Sequence, residues 1–596
     1  MLRVDLPSCD QAEGSHLMAV LYMSETSSNH SIPMRHANFE SLVEALDYAA
    51  TGHAGMNFYD RRSQLVSSFE YRMLKRRALM GARRLLGLGL VRGDRVALIA
   101  DTNATFVEVF FACQYAGLIP VPLPIPMGVG QHSSYVDKLR GLLNSCSPAA
   151  VCGGEEWLPL VREAAADMPP MPLLSGVDID ALPEAEVELQ APGADDVAYL
   201  QYTSGSTRFP RGVVITQRAV MANLQVISRD GIKLREGDRC VSWLPFYHDM
   251  GLVGFVLTPV ATQLSVDYLR TQDFAMRPLQ WLKLISRNRG TVSVAPPFGY
   301  NLCLRRCSDK DLAELDLRSW RVAGVGAEPV PFEALTQFAE RFAATGFATE
   351  AFMPCFGLAE STLAVSFADT PKGLRADVID RDVLEHSGKA VPPTSRTRAV
   401  STFVNCGAVL PGHRLEIRNA QGEVLGEREV GQIFIAGPSL MSGYFRDPDS
   451  QLQASQWLGT GDLGYLFEGN LHVTGRKKDL IIIRGRNIWP QDIEHEAEGE
   501  PGVRPGDAIA FVTSRGDESV VVMQIQCRVT SPASREHMVR SLSGRIQSEF
   551  GVSVDIQLVP PQSIPRTSSG KPARAEAKRR YLSMLDALAL PAAAIA

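Results

Sequence analysis

The sequence predicts an α/β fold in two parts: a large N-terminal domain of parallel-type α/β sheets plus a small β subdomain, followed by a smaller α+β C-terminal domain. Short apolar runs alternate with helical patterns through the first half of the chain. After Thr402 the texture changes to short strands and turns. At 475–479 a charged stretch, GRKKD, separates two apolar strands, and a fresh alternation begins.

Residues 70–90 have helical apolar spacing, 95–100 (RVALIA) reads as a short buried strand, and a helix over 105–116 leads to a strand at 118–121. Strand, helix, strand at this spacing predicts a βαβ unit and mainly parallel pairing. The alternation continues with a helix over 135–144 and strands at 149–152, 197–202, 240–244, 291–295 and 321–325. Such sheets place ligand loops at the carboxyl ends of their strands, and the loop after residue 202 is expected at one of them. The first domain is expected over 1–475, with strands at 414–418 and 431–436 in a β subdomain of about 403–475. A hinge at 476–479 precedes a C-terminal domain over 480–596, with strands at 508–512, 520–526 and 552–558 and a helix over 535–550.

A chain of 596 residues is too long for one core, which agrees with this division. With 45% hydrophobic and 21% charged residues it has the composition of an ordinary soluble globular protein. A net charge of −6 without a long basic run offers no case for nucleic-acid binding. The ten cysteines form no C-x-x-C pair, against a zinc site, and most sit in apolar runs as reduced core thiols do. No stretch approaches the ~20 apolar residues of a membrane span, and the acidic first thirty residues are unlike a secretory signal. A cytoplasmic monomer is expected.

The chemistry-bearing stretch is TSGSTRFPRG, 203–212. Thr203, Ser204, Gly205, Ser206 and Thr207 leave backbone N–H groups and hydroxyls free to converge on an anion, and Arg208 and Arg211 add positive charge, as a polyphosphate site requires. The Gly-Lys-Ser/Thr ending of a P-loop is absent. FGLAE (356–360) sets Phe356 and Gly357 before Glu360, which is either an exposed helix start or a Mg²⁺ ligand shared with phosphate oxygens. GTGDLGYL (459–466) holds Asp462 between glycines, either as a plain turn or as an acceptor for ribose hydroxyls. LPFYHDMG (244–251) carries His248, read as pocket lining beside Asp249 and Met250. In GRKKD, Lys477 reads as a solvated linker residue, whereas Arg476 adjoins the ribose candidate and has the reach for phosphate. PRTSSGKPAR (565–574) presents Lys571 either as a tail lysine or as a point charge for phosphate oxygens.

In this order the motifs resemble the adenylate-forming superfamily of acyl-CoA synthetases, luciferases and peptide-synthetase adenylation domains, over about 39–581. Within it the chain looks most like the fatty acyl-AMP ligases, on LQYTSGSTRFPRGVV, SWLPFYHDMGLVG, APPFGYNLCLRR, DLRSWRVAGVGAEPV, FGLAEST and GRKKDLIIIRGRNIWPQDIE. The extra segment at about 367–402 resembles the insertion of that branch. The chain departs from the superfamily at Arg208, usually glycine, at Arg211, usually lysine, and at Phe356, frequently tyrosine.

The resemblance implies ATP and Mg²⁺ as cofactors. It assigns pyrophosphate to 203–207, Mg²⁺ to Glu360 and Thr207, and ribose to Asp462. It places adenine among Gly326, Ala327, Glu328 and Phe356, with Gly357 beside them, and makes Lys571, Glu360 and Arg476 catalytic. A fatty chain would run past His248, Asp249, Met250, Phe298 and Gly299, and a mobile C-terminal domain would turn about Lys478. The implied partners are a fatty acid of medium or long chain and an acyl carrier protein or synthase carrier domain; the alternative acceptor is free CoA, and a non-catalytic nucleotide-binding regulator is the third reading.

Overall fold

The computed structural model describes residues 32–126, 132–203, 210–370, 372–452, 456–483, 486–504, 506–515, 518–566 and 572–589. Of these, residues from Met34 onward belong to one compact unit. Local sequence explains the first alternation directly. The Asn103 side chain accepts from the Phe106 N–H at 3.0 Å to start the helix Ala104–Ala116, and Gly117, at φ 67°, ends it before the strand Ile119–Leu123. That strand pairs in parallel with Arg95–Ile99, which continues through Ala150–Cys152 to Leu173–Leu174 in a four-stranded parallel sheet.

The later strands form a separate nine-stranded sheet. Its centre is parallel, running Phe352–Gly357, Val322–Val325, Val292–Ala295, Arg239–Ser242, Ser265–Leu269 and Gly55–Tyr59, and its margins are antiparallel. Strands buried on both faces need unbroken apolar runs, and Val292–Ala295 and Val322–Val325 are buried throughout.

One expectation is corrected. Val197–Tyr202 does not end in a parallel sheet: it forms an antiparallel pair with Gly212–Thr216, whose other edge pairs with Gly443–Tyr444. The connection between the first two strands is too short for the dozen or more residues of a parallel crossover, so the chain turns straight back.

Arg414–Arg418, Gly431–Ala436, Leu458–Phe467 and Asn470–Arg476 make a four-stranded antiparallel sheet. Beyond it, Ala508–Arg515, Glu518–Gln526 and Val554–Val559 form a mixed sheet packed with the helices Pro490–Glu498 and Pro532–Phe550. Their shared apolar core draws only on residues from Ile481 onward among those described.

Beside the nine-stranded sheet lies an aromatic cluster. Trp281 is fully buried, donates its indole N–H to Ser293 Oγ at 2.8 Å, and meets Trp243, Tyr300 and Trp320 edge-on at 6.1, 5.3 and 5.2 Å. Phe298 stands edge-on to Trp243 at 5.6 Å, so this cluster sets where the helix Pro297–Arg306 begins. Trp281→Ala should cost about 3–5 kcal/mol of stability, read as a lower melting temperature and urea midpoint. Wild-type melting would contradict this role for the cluster.

Candidate active site

A cavity of about 2350 Å³ opens between the sheets and the C-terminal elements. Thr203, His248, Asp249, Met250, Phe298, Ala327, Glu328, Phe356, Gly357, Glu360, Asp462, Arg476 and Lys478 all line it. Two sequence candidates are set back from the wall: Gly299 abuts the Trp243 ring and Gly326 abuts Cys355. Ser204, Gly205, Ser206, Thr207 and Lys571 lie outside the described residues.

Glu360 sits in the short turn Ala359–Ser361 after the strand Phe352–Gly357. Its Oε1 accepts from the Tyr444 hydroxyl at 2.8 Å, and the Arg211 guanidinium lies 3.6 Å over the Tyr444 ring. Burial and the adjacent carboxylate both raise the Tyr444 pKa, so its hydroxyl stays protonated as a donor. Oε2 has no partner among the described residues. No group of three or more His, Cys, Asp or Glu among those residues could hold a metal. One carboxylate lining this cavity fits Mg²⁺, which is usually held by one or two carboxylates plus substrate phosphates.

Asp462 and Arg476 face each other across the antiparallel strands Leu458–Phe467 and Asn470–Arg476, with Arg476 Nε 3.3 Å from Asp462 Oδ1. Strand register, rather than their separation along the chain, brings the two side chains together. The next residues turn sharply, the Asp479 and Leu480 N–H groups both donating to the Arg476 carbonyl. Loss of hydration, then the charge of Arg476, lowers the Lys478 pKa from its ordinary 10.5. Asp479 pairs at 3.2 Å with Arg574, which also binds Glu494 and donates from Nε to the Ala510 carbonyl at 2.7 Å. Arg566 and Pro572 form a bridge that brackets the segment containing Lys571.

Ile227, Phe255, Val294, Leu363 and Phe367 give the cavity apolar lining. His248 also lines the cavity, with Nδ1 2.6 Å from Asp249 Oδ1, which also accepts the Met250 N–H at 2.8 Å.

The 367–402 segment folds into a strand, Ala376–Asp380, and a helix, Arg381–Ser387, and returns through Val400–Val404. It docks on the C-terminal elements. Arg381 donates to Glu549 at 2.7 Å and lies 4.4 Å over the Phe550 ring, while the fully buried Glu385 pairs with Arg486. Ile379, Leu384 and Ala390 share one apolar cluster with Tyr465 and Trp489. Asp492 lies within reach of these charges, its Oδ2 buried and without a partner among the described residues; desolvation chiefly pushes its pKa up to about 7, against the pull of Arg381.

Tyr444, which donates to Glu360, and Ser439 and His413, hydrogen-bonded to one another nearby, were passed over by sequence reasoning. Each is a single residue in a turn or strand end, with no spacing pattern to mark it. Arg574 stood within a quoted motif, but its partners Asp479 and Glu494 come from distant stretches.

The AMP-binding enzyme family model matches residues 50–445. A Caulobacter vibrioides protein provisionally named an acyl-CoA synthetase is 42% identical, covering 95% of this chain and 99% of its own. The medium-chain fatty acid–[acyl-carrier-protein] ligase JamA of Moorena producens is 30% identical, covering 92% and 96%. A solved structure from work on fatty acyl-adenylate ligases of E. coli and L. pneumophila superposes with a TM-score of 0.91 at 66% identity, covering 93% of this chain and all of that one. The chain belongs to the AMP-binding enzymes of the adenylate-forming superfamily, on the branch of the fatty acyl-AMP ligases.

Asp462→Ala should weaken ATP binding at least about tenfold, because a charge-assisted contact is worth roughly 1.5–3 kcal/mol. Glu360→Ala should instead raise the Mg²⁺ requirement. Calorimetric titrations that leave both quantities unchanged would make the two carboxylates structural. Asp492 gives a pH signature. Its pKa rises above an unfolded value near 3.8, so the folded chain holds the extra proton and stability falls as pH climbs from about 4 to about 7. Asp492→Asn should therefore melt higher than wild type at pH 8, with the advantage shrinking by pH 5. An equal difference at both pH values would contradict it.

Proposed function

We propose that this enzyme activates a medium- or long-chain fatty acid with ATP and then passes the acyl group to the phosphopantetheine thiol of an acyl carrier protein. The observation that carries the reading is the single cavity in which Glu360, the Asp462–Arg476 pair and the Arg574-anchored C-terminal elements meet apolar lining residues. A fatty-acid carboxylate oxygen attacks the α-phosphorus, the bond to the β-phosphate oxygen breaks, and pyrophosphate leaves. Both reactants are anionic, so the enzyme must align them and supply positive charge. Arg476 and Lys571 are assigned that role, Asp462 the ribose hydroxyls, and Thr203 to Thr207 the pyrophosphate end. Ala327, Glu328 and Phe356 flank adenine, with Gly326 behind them. Mg²⁺, held by Glu360 and Thr207, would offset charge on the leaving phosphates. In the second step the thiol sulfur attacks the acyl carbonyl and AMP departs.

The 476–479 turn, with Lys478, is proposed as a hinge between an N-terminal domain and a domain over 480–596. The 367–402 segment, by holding Arg486 and Glu549, would resist the rotation that free CoA requires. Nine described cysteines are unpaired, which suits a reducing, cytoplasmic setting. The name given to the Caulobacter relative favours a second reading, an acyl-CoA synthetase.

Lys571→Ala should lower pyrophosphate release by about 10²–10³-fold, the usual cost of one lost charge aimed at a transition state. The acceptor is tested with ATP, a fatty-acid panel and either CoA or a phosphopantetheinylated carrier. The intact enzyme should load the carrier and make little acyl-CoA, and Arg381→Ala should gain acyl-CoA synthesis. Efficient acyl-CoA formation by the intact enzyme would establish the second reading.

A further inference from the structure

The turn that carries Glu360 is strained, and a line of buried side chains outside the cavity holds it. Thr362 has φ 64° and ψ −57°, and the Leu363 N–H donates to the Ser361 carbonyl at 2.7 Å. These mark a γ-turn of the rare hand, costly for a β-branched residue. Gly357 permits the turn to close against it: a Cβ there would lie 1.9 Å from the Leu363 carbonyl oxygen.

The 439–444 stretch grips the turn at four points. The Met441 N–H donates to the Glu360 carbonyl at 2.9 Å, and the Tyr444 hydroxyl donates to Glu360 Oε1 at 2.8 Å. Thr362 Oγ1 donates to the Ser439 carbonyl at 2.8 Å, and the Ser361 and Ser439 hydroxyl oxygens are 3.1 Å apart. Ser439 then meets His413, whose Nε2 is 2.5 Å from its Oγ while Nδ1 is 3.1 Å from the Pro411 carbonyl oxygen.

A carbonyl only accepts, so Nδ1 carries the proton and a neutral ring leaves Nε2 as an acceptor. Burial lowers the His413 pKa from its usual 6.5 and so favours that neutral form. The hydrogen bonds then run in one direction: Ser361 donates to Ser439, Ser439 to His413, and His413 to the Pro411 carbonyl. The three side chains of this relay are buried, as is Thr362.

We infer that His413 is a positioning residue for Glu360: acting through Ser439, it holds the strained turn in the arrangement that aims the Glu360 carboxylate into the cavity. The inference rests on the proposed role of Glu360 in holding the metal. Strain of this kind persists only where surrounding contacts enforce it, and without the relay the turn relaxes and the carboxylate swings from its line. Groups behind a metal-binding side chain, touching neither metal nor substrate, commonly govern affinity in this way.

The test uses the intact enzyme with a non-hydrolysable ATP analogue and Mn²⁺ as a paramagnetic probe of metal binding. Ser439→Ala and His413→Phe should weaken Mn²⁺ binding roughly tenfold, the lower end for such supporting groups. Analogue binding without metal should change by less than about twofold, since no nucleotide contact is removed. His413→Gln, which keeps an acceptor for the Ser439 hydroxyl, should recover most of the loss. Wild-type Mn²⁺ binding by folded Ser439→Ala would overturn the inference, as would an equal loss of metal-free nucleotide binding. If His413→Phe does not fold, Ser361→Ala and Ser439→Ala, each lacking one oxygen, decide the matter. Glu360→Ala is measured alongside. If it leaves Mn²⁺ binding intact, the metal role of Glu360 fails; if it abolishes binding while the relay variants do not, the relay alone fails.

Discussion

The rest of the site depends on a buried arginine. The Arg574 side chain is only 13% exposed, and a guanidinium so placed must find its counter-charges or destabilise the fold by several kcal/mol. It finds them in Asp479, at the end of the turn that follows Arg476, and in Glu494 on the helix Pro490–Glu498. One side chain thereby ties the final helix, the C-terminal sheet and the Asp462–Arg476 strand pair together. The Asp462–Arg476 pair lines the same cavity as Glu360, which stands in a turn after another sheet.

That arrangement suits a reaction between anions. Glu360 and Asp462 offer acceptors for a metal and a ribose, and Arg211 and Arg476 on the same wall offer positive charge for phosphate. Apolar residues line the same cavity as His248 and these polar groups, so it offers room for an acyl chain beside a nucleotide, as proposed above. The 367–402 segment closes one side through Arg381, Glu385 and a small apolar cluster that includes Trp489. Gly475 has φ 155°, and a Cβ there would approach the Trp489 ring to 2.9 Å, so even the turn into the C-terminal elements is packed.

Much of this was legible in the sequence because it is local. Arg95–Ile99, Gly431–Ala436 and Val197–Tyr202 are short apolar runs bounded by turn residues, and such runs announce strands wherever they pair. Pairing partners are not local. Nothing within 197–202 distinguishes a parallel strand from one that turns back on Gly212–Thr216, and only the short connection tells. For the same reason the first two strands of the nine-stranded sheet, Gly55–Tyr59 and Leu65–Glu70, escaped notice. The site was legible where several residues make a motif, as at FGLAE and GTGDLGYL. It was illegible where one side chain reaches across the fold, as with Tyr444 to Glu360 or Arg574 to Glu494.

The central claim is that the cavity joins a carboxylate to the α-phosphate of ATP. It is tested most directly by mixing the enzyme with Mg²⁺, ATP and a fatty acid, withholding any thiol acceptor, and analysing the bound and released products by mass spectrometry. The account predicts enzyme-bound acyl-adenylate with pyrophosphate released in equal amount. Release of ADP and inorganic phosphate, with no mixed anhydride of the fatty acid and AMP, would contradict it.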